Sequence, residues 1–266
     1  MSNAGNAADA AISILPVDGI GEIVPDDDLL SIIGDAIETS IGKLQDGDIV
    51  VVTHKIVSKA EGRLVELATV EPSPLARNFA AEWGKDARQV EVVLREARRI
   101  VRMHNGLIVA ETKHGFICAN AGVDASNAGL ETVCLLPDDP DASAARIRQS
   151  LTTRFFPGVA EGATRIGVIV TDSFGRPWRN GIVNVAIGVA GMSPFADYRG
   201  QFDPDGYELR ASVLAVADEL AAAAELVMHK VAKRPVAIIR GYDWQPGEDD
   251  GTGQDLVMPH ERNLFP

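Results

Sequence analysis

Apolar positions recur along this chain with two periods, and those periods predict its elements. Ile12 to Val17 reads as a first strand ending at Asp18-Gly19. Asp26 to Asp28 offer N-caps for a helix through Ile41, whose Leu29, Ile32, Ile33, Ala36 and Ile37 fall at helical spacing. Asp46-Gly47 makes a turn, and Asp48 to Thr53 is an apolar run of strand length. Pro74 starts a helix, and a second one is expected from Ala87 to Met103, with Arg95, Arg98, Arg99 and Arg102 on a solvated face. Leu107 to Thr112 and Gly115 to Ala119 suggest a hairpin around Lys113-His114. Asp141 caps a helix through about Phe155, Ile166 to Val170 is a buried strand, and Thr171 to Gly181 follows as a polar loop. The longest periodic segment predicts a helix from Tyr207 to Val231, and Pro235 to Gly241 is a last strand. Strands and helices mix without a regular βα repeat, so the fold class is α+β.

Two loops carry candidate chemistry. Asn120 to Asn127 breaks out of an apolar run with a carboxylate, two carboxamides and a hydroxyl. Asp124 suits a hard cation and Asn127 a base, sugar or phosphate; a self-satisfied Asx turn is the plain alternative. In the second loop Asp172 stands where a buried strand surfaces, with Ser173 beside it and Arg176 and Arg179 able to grip anionic oxygens. The plain reading there is a cap or turn with surface arginines. Two such aspartates are better explained as one metal–phosphate site.

Composition narrows the choices. The 266 residues fit one large domain or two closely joined ones, taken here as a single domain over residues 12–266 after an Ala- and Asn-rich leader, residues 1–11, expected to be disordered. A net charge of −13 argues against general nucleic-acid binding, which needs a basic face. No apolar stretch approaches the roughly 20 residues that span a bilayer, so a cytoplasmic protein without a membrane partner is expected. Cys118 and Cys134 match no zinc spacing and read as buried free thiols. There is no G-x-x-x-x-G-K-[ST] and no G-x-G-x-x-G after a strand, so any nucleotide site is of an uncommon kind.

Four stretches, in order, now bear on identity: Leu15 to Ile20, Val57-Ser58-Lys59-Ala60-Glu61-Gly62-Arg63, Asn120 to Asn127, and Thr171 to Gly181, with Arg240-Gly241 closing the last strand. With them the chain resembles the coenzyme F420-0:L-glutamate ligase family over residues 12 to 241. The resemblance implies an unusual α+β fold in an intertwined homodimer. It implies GTP as co-substrate, with coenzyme F420-0 and L-glutamate as partners, and Mg²⁺ or Mn²⁺, two per site, with K⁺ as a further candidate. Carried over position by position, Ile20, Gly21, Glu22 and Ile23 would lie against the nucleotide. His54 and Lys55 stand where the family places small hydroxyl residues near GTP. Lys59 matches a nucleotide-contacting lysine and Asn127 a nucleotide contact. Asp124 and Asp172 match the carboxylates of one ion, and Ser173 a ligand of the second. Lys59, Arg176 and Arg179 would add fixed positive charge in catalysis. The segment Met228 to Pro235 departs from the Gly- and Glu-rich loop of archaeal members and looks closer to the bacterial branch. Either the second metal is held differently, or basic side chains partly replace it against phosphate. The nitroreductase-like domain of bacterial two-domain relatives is expected to be absent. Two rivals remain open: a metal-dependent nucleotide phosphatase and a non-catalytic deazaflavin-binding protein on the same scaffold.

Overall fold

The computed structural model describes residues 11–159, 164–244 and 251–263; all of the expected leader except Ala11 lies outside them. In chain order the elements are β1 (Ser13–Val17), α1 (Leu29–Ile41), β2 (Ile49–Thr53), α2 (His54–Ala60), β3 (Leu64–Glu66), α3 (Pro74–Trp83), α4 (Ala87–Glu96), β4 (Ala97–His104), β5 (Leu107–Thr112), β6 (Ile117–Ala119), β7 (Thr132–Cys134), α5 (Pro140–Phe155), β8 (Gly167–Arg176), β9 (Arg179–Ala190), β10 (Ala196–Asp197), β11 (Val213–Leu214), α6 (Val216–Met228) and β12 (Val236–Arg240).

Five strands form the central sheet in the order β1-β12-β2-β8-β9, with β2 and β8 parallel and the other neighbours antiparallel. Alternation along β2 explains the layering. Val50 and Val52 face one way, where Ile33 and Ile37 of α1 and Ile147 and Leu151 of α5 cover them. Ile49 and Val51 face the other way, against Ala217, Ala221 and Ala224 of α6. β2 is buried on both faces, which is why it reads as an unbroken apolar run. Smaller sheets, β4-β5-β6, β3-β7 and β10-β11, complete a mixed α+β architecture.

Four expectations are corrected. The helix expected from Ala87 to Met103 stops at Glu96, and Ala97 to His104 is a strand paired with β5. The missed signal is Asn105-Gly106: both residues have positive φ, +51° and +73°, as a two-residue hairpin turn demands. Arg98 and Arg99 therefore pair with Glu111 across the hairpin instead of lining a helix. The helix expected from Tyr207 is confined to Val216–Met228, because residues 207–213 spend their backbone groups on 197–203; Gly200 donates to Leu209 and Leu209 to Gln201, both at 2.8 Å. Thr171 to Gly181 is no loop: β8 runs on to Arg176 and folds back into β9. The cap of α5 is Asp139, whose carboxylate accepts from the Ala142 amide, with Pro140 leading the helix. Asp141 accepts instead from the amides of Val189 and Gly253, tying β9 to the chain's last described segment.

Candidate functional site

The parallel pair β2–β8 builds the site. Thr53 and Thr171 are partners in register, so the next residues, His54 and Asp172, emerge side by side at the carboxyl ends of the two strands, the usual place for ligands beside a parallel pair. The register of β8 on β9 shifts between Val170 and Thr171, and such a bulge re-aims the side chains that follow. Thr53, the last residue of β2, hands over directly to α2, which carries His54, Lys55 and Lys59 on one short turn-and-a-half.

A cleft of about 360 Å³ opens there. The structure brings Ile20, Gly21, Glu22, Ile23, His54, Lys55, Lys59, Asn127, Asp172 and Ser173 together around it. Asp124 stands one shell back: its Oδ2 lies 2.6 Å from Lys55 Nζ, and its Oδ1 accepts from the Ser126 amide at 2.7 Å. Burial works to raise the Asp124 carboxyl, but hydrogen bonds from Lys55 and Ser126 and the charge of Lys55 outweigh it and hold the group below its ordinary value. Arg176 and Arg179 are not brought in. They face each other at the β8–β9 turn, where Arg176 Nη2 donates to the Asn180 carbonyl at 3.1 Å, and neither lines the cleft.

The Ser58-to-Arg63 string divides its labour. Lys59 is buried and meets Glu22 at the cleft, whereas Glu61 accepts from Ser143 and Arg146 on α5, both at 2.6 Å. Arg63 donates to the Leu136 carbonyl and pairs with Glu96 and Asp138. Its lysine lines the cleft and its Ser58 lies 3.2 Å from the ring of the cleft residue His54, while its Glu and Arg hold neighbouring elements together.

Asn184, Glu225, Lys230, Lys233 and Arg234 also line the cleft; the three basic residues belong to the Met228–Pro235 segment that the sequence already set against phosphate, whereas Asn184 and Glu225 escaped the sequence reading. Asn184 is a buried carboxamide at the middle of β9, flanked by Val183 and Val185, and that oddity was the available signal. It donates to Glu225 Oε2 at 3.1 Å and accepts from Ser173 Oγ at 2.6 Å, while Ser173 Oγ accepts from Lys230 Nζ at 2.8 Å. The hydroxyl expected to hold a second metal is therefore already engaged by an ammonium. Lys55, Lys59, Lys230, Lys233 and Arg234 outnumber Glu22, Asp172 and Glu225 at the cleft, five charges to three, on a chain of net charge −13. Such a local reversal of sign favours an anionic ligand.

Asp172 offers a carboxylate oxygen to a divalent ion at the cleft. His54 is 1% exposed, and its Nε2 has no hydrogen-bond partner among the described residues, yet it faces Asp172 Oδ1 at 3.3 Å. Carboxylate oxygen at that point, with phosphate oxygens to complete the shell, is a donor set that Mg²⁺ or Mn²⁺ accepts. Among the described residues no cluster of three or more His, Cys, Asp or Glu could hold a metal by itself. The two cysteines are buried and unpaired, as expected. Burial, reinforced by the charge of Asp172, pushes the Cys118 thiol up to about 12, and burial takes Cys134 up to about 11, so neither supplies a thiolate nucleophile. No helix among the described residues is long and apolar enough to cross a membrane.

The model of the family described as F420-0:gamma-glutamyl ligase matches residues 19–241. The chain is 43% identical to the coenzyme F420:L-glutamate ligase of Methanothermobacter thermautotrophicus, over 96% of this chain and 98% of that one. It is 46% identical to the protein of the same name from Methanopyrus kandleri, over 96% and 97% of the two chains. For the namesake from Methanocaldococcus jannaschii the identity is 41%, over 84% and 86%.

Proposed function

The chain belongs to the F420-0:gamma-glutamyl ligase family, and on that premise we propose that it joins L-glutamate to coenzyme F420-0 at the expense of GTP, with Mg²⁺ or Mn²⁺. The observation that carries the reading is the cationic cleft at the β2–β8 strand ends, with Asp172 and Lys59 inside it.

A carboxylate resists attack by an amine until one of its oxygens becomes a leaving group. The γ-phosphoryl group of GTP passes to the terminal carboxylate of coenzyme F420-0, releasing GDP and giving an acyl phosphate. The α-amine of glutamate then attacks the acyl carbon, expels phosphate and loses a proton as the amide forms. The work of the protein is positioning and charge stabilisation. Lys59 and Lys230 meet the migrating phosphoryl oxygens, and Lys233 and Arg234 hold the rest of the polyphosphate. Asn127 and the Ile20–Ile23 segment hold the nucleoside, whose apolar contact comes from Ile20 and Ile23. Asp172 would hold the divalent ion, which supplies neutralisation of phosphate charge when bound. Lys230 stands where a second ion was expected at Ser173, so part of that charge is built into the chain. The intertwined homodimer belongs to the same proposal.

The test is mass spectrometry of coenzyme F420-0 incubated with the protein, glutamate, GTP and Mn²⁺. Additions of glutamate mass that require both GTP and metal are expected. GTP hydrolysis without addition would overturn the ligase in favour of a nucleotide phosphatase, and neither reaction would leave a deazaflavin-binding protein.

A further inference from the structure

We propose that Glu225 is a catalytic residue of the second step: its carboxylate receives the α-ammonium of L-glutamate in the cleft and takes a proton from it before the amine attacks. The inference rests on the ligase reading of the cleft and adds the residue that binds and activates the nucleophile.

The first argument is charge. Three carboxylates line the cleft, and two of them already face an ionisable partner: Glu22 meets Lys59, and Asp172 Oδ1 lies 3.3 Å from His54 Nε2. Glu225 has no cationic partner among the described residues; its carboxylate takes one hydrogen bond, from the neutral carboxamide of Asn184. It also stands in the last turn of α6, where the negative end of the helix dipole disfavours a carboxylate and no basic side chain offsets it. A carboxylate held half-buried against that field is a place for a cation.

The second is orientation. Asn184 is buried and held from both sides: its Oδ1 accepts from Ser173 Oγ at 2.6 Å, and its Nδ2 donates to Glu225 Oε2 at 3.1 Å. Oε1 is left for a ligand. Ser173 Oγ in turn accepts from Lys230 Nζ at 2.8 Å. Lys230, Ser173, Asn184 and Glu225 thus form one chain of hydrogen bonds, with an ammonium at one end and a carboxylate at the other. With Lys230 set against the migrating phosphoryl group, Glu225 follows three hydrogen bonds along the wall of the same cleft, which puts a base beside the carbon that the amine must attack.

The third is the chemistry. L-Glutamate carries its amine as an ammonium at neutral pH, with no lone pair to give. Glu225 takes one proton. The free amine attacks the acyl carbon, the C–N bond forms and the C–O bond to phosphate breaks. A second proton leaves with the phosphate, the third stays on the amide nitrogen, and Glu225 returns its own to water. Elsewhere in the cleft Lys55, Lys59, Lys230, Lys233 and Arg234 repel an ammonium, so Glu225 also decides where the amino acid docks. A divalent ion is a poor rival for the same carboxylate. The Ser173 hydroxyl further along the chain is already engaged by Lys230, and no cluster of three His, Cys, Asp or Glu stands there among the described residues.

The test compares two nucleophiles, L-glutamate and hydroxylamine, each with coenzyme F420-0, GTP and Mn²⁺, by mass spectrometry of the products. Hydroxylamine traps an acyl phosphate as a hydroxamate and is largely unprotonated at neutral pH, so it needs no base. Glu225→Gln, which keeps an acceptor for Asn184, should lower kcat with glutamate by about 100-fold and raise its KM, while hydroxamate forms at close to the wild-type rate. Glu225→Asp keeps a carboxylate and should recover part of the glutamate rate, and melting curves identify the folded variants. Equal losses with both nucleophiles, undiminished glutamate addition, or loss of bound Mn²⁺ by electron paramagnetic resonance in Glu225→Gln would each overturn the role of Glu225 and leave the ligase reading standing. Neither product from wild type would overturn both.

Discussion

The ammonium of Lys55 lies 2.6 Å from Asp124 Oδ2 and 2.5 Å from Ser126 Oγ, so the helix that follows β2 grips the 120–127 loop across the fold. The loop closes on its other side through Asp124 itself, whose backbone exchanges two hydrogen bonds with Cys134 at 3.0 and 2.8 Å. Asp124 and Lys55 thereby fix where Asn127 enters the cleft.

If this ion pair works as a latch, its two halves act as one unit. Lys55→Met and Asp124→Asn should each lower kcat/KM by about 100-fold, while both variants stay folded. The double variant should then be no worse than either single one, giving a coupling energy nearly equal to one single loss. Losses that multiply in the double variant would mean that the two residues contribute separately and that no latch exists.

Asp48 and Arg240 tie β2 to β12. The Asp48 side chain is 1% exposed, accepts from Arg240 Nε at 2.8 Å and Nη2 at 2.7 Å, and also takes the Gln45 amide at 2.8 Å. Asp48→Ala strands a guanidinium that is a quarter exposed, which lessens the penalty of breaking a fully buried pair. The expected loss is about 2–3 kcal/mol in urea unfolding at pH 7. A change below about 0.5 kcal/mol would show that the pair carries no net stability.

Asp218 sits in the first turn of α6 and accepts from the Ala186 amide of β9 at 2.9 Å. Burial raises its carboxyl above the ordinary value, only partly offset by that amide. A raised carboxyl keeps its proton in the folded chain at a pH where the unfolded chain has lost it. Its ionisation therefore erodes stability as pH rises from the ordinary carboxyl value, 3.8, through the higher folded value. Asp218→Asn keeps an acceptor for Ala186 and removes the titration. The variant should melt close to wild type in acid and progressively above it as pH rises past that window. A difference that stays constant with pH, or reverses, would assign the effect to packing.

Sequence by itself determined the elements whose burial is complete or strictly periodic. β2, β12 and α1 were legible because both faces of a central strand, or one face of an amphipathic helix, must be apolar wherever they pack. The N-A-G-V-D-A-S-N string stood out because its polar residues break out of an apolar run, whereas the S-K-A-E-G-R string drew notice through the family resemblance. Tertiary structure decided the rest. Ala97 to His104 became a strand because Asn105-Gly106 folds it onto β5, a partner that no local periodicity displays. Thr171 to Arg176 became a strand because β9 satisfies its backbone. Arg176 and Arg179, near Asp172 in sequence, were carried along that hairpin to its turn, away from the cleft. Asn184, Glu225 and Lys230 came in from two other elements and a loop end. Hydrophobic burial is dictated locally by each segment's own pattern, whereas the polar residues that meet in a cleft are chosen by strand pairing and register between segments far apart in sequence.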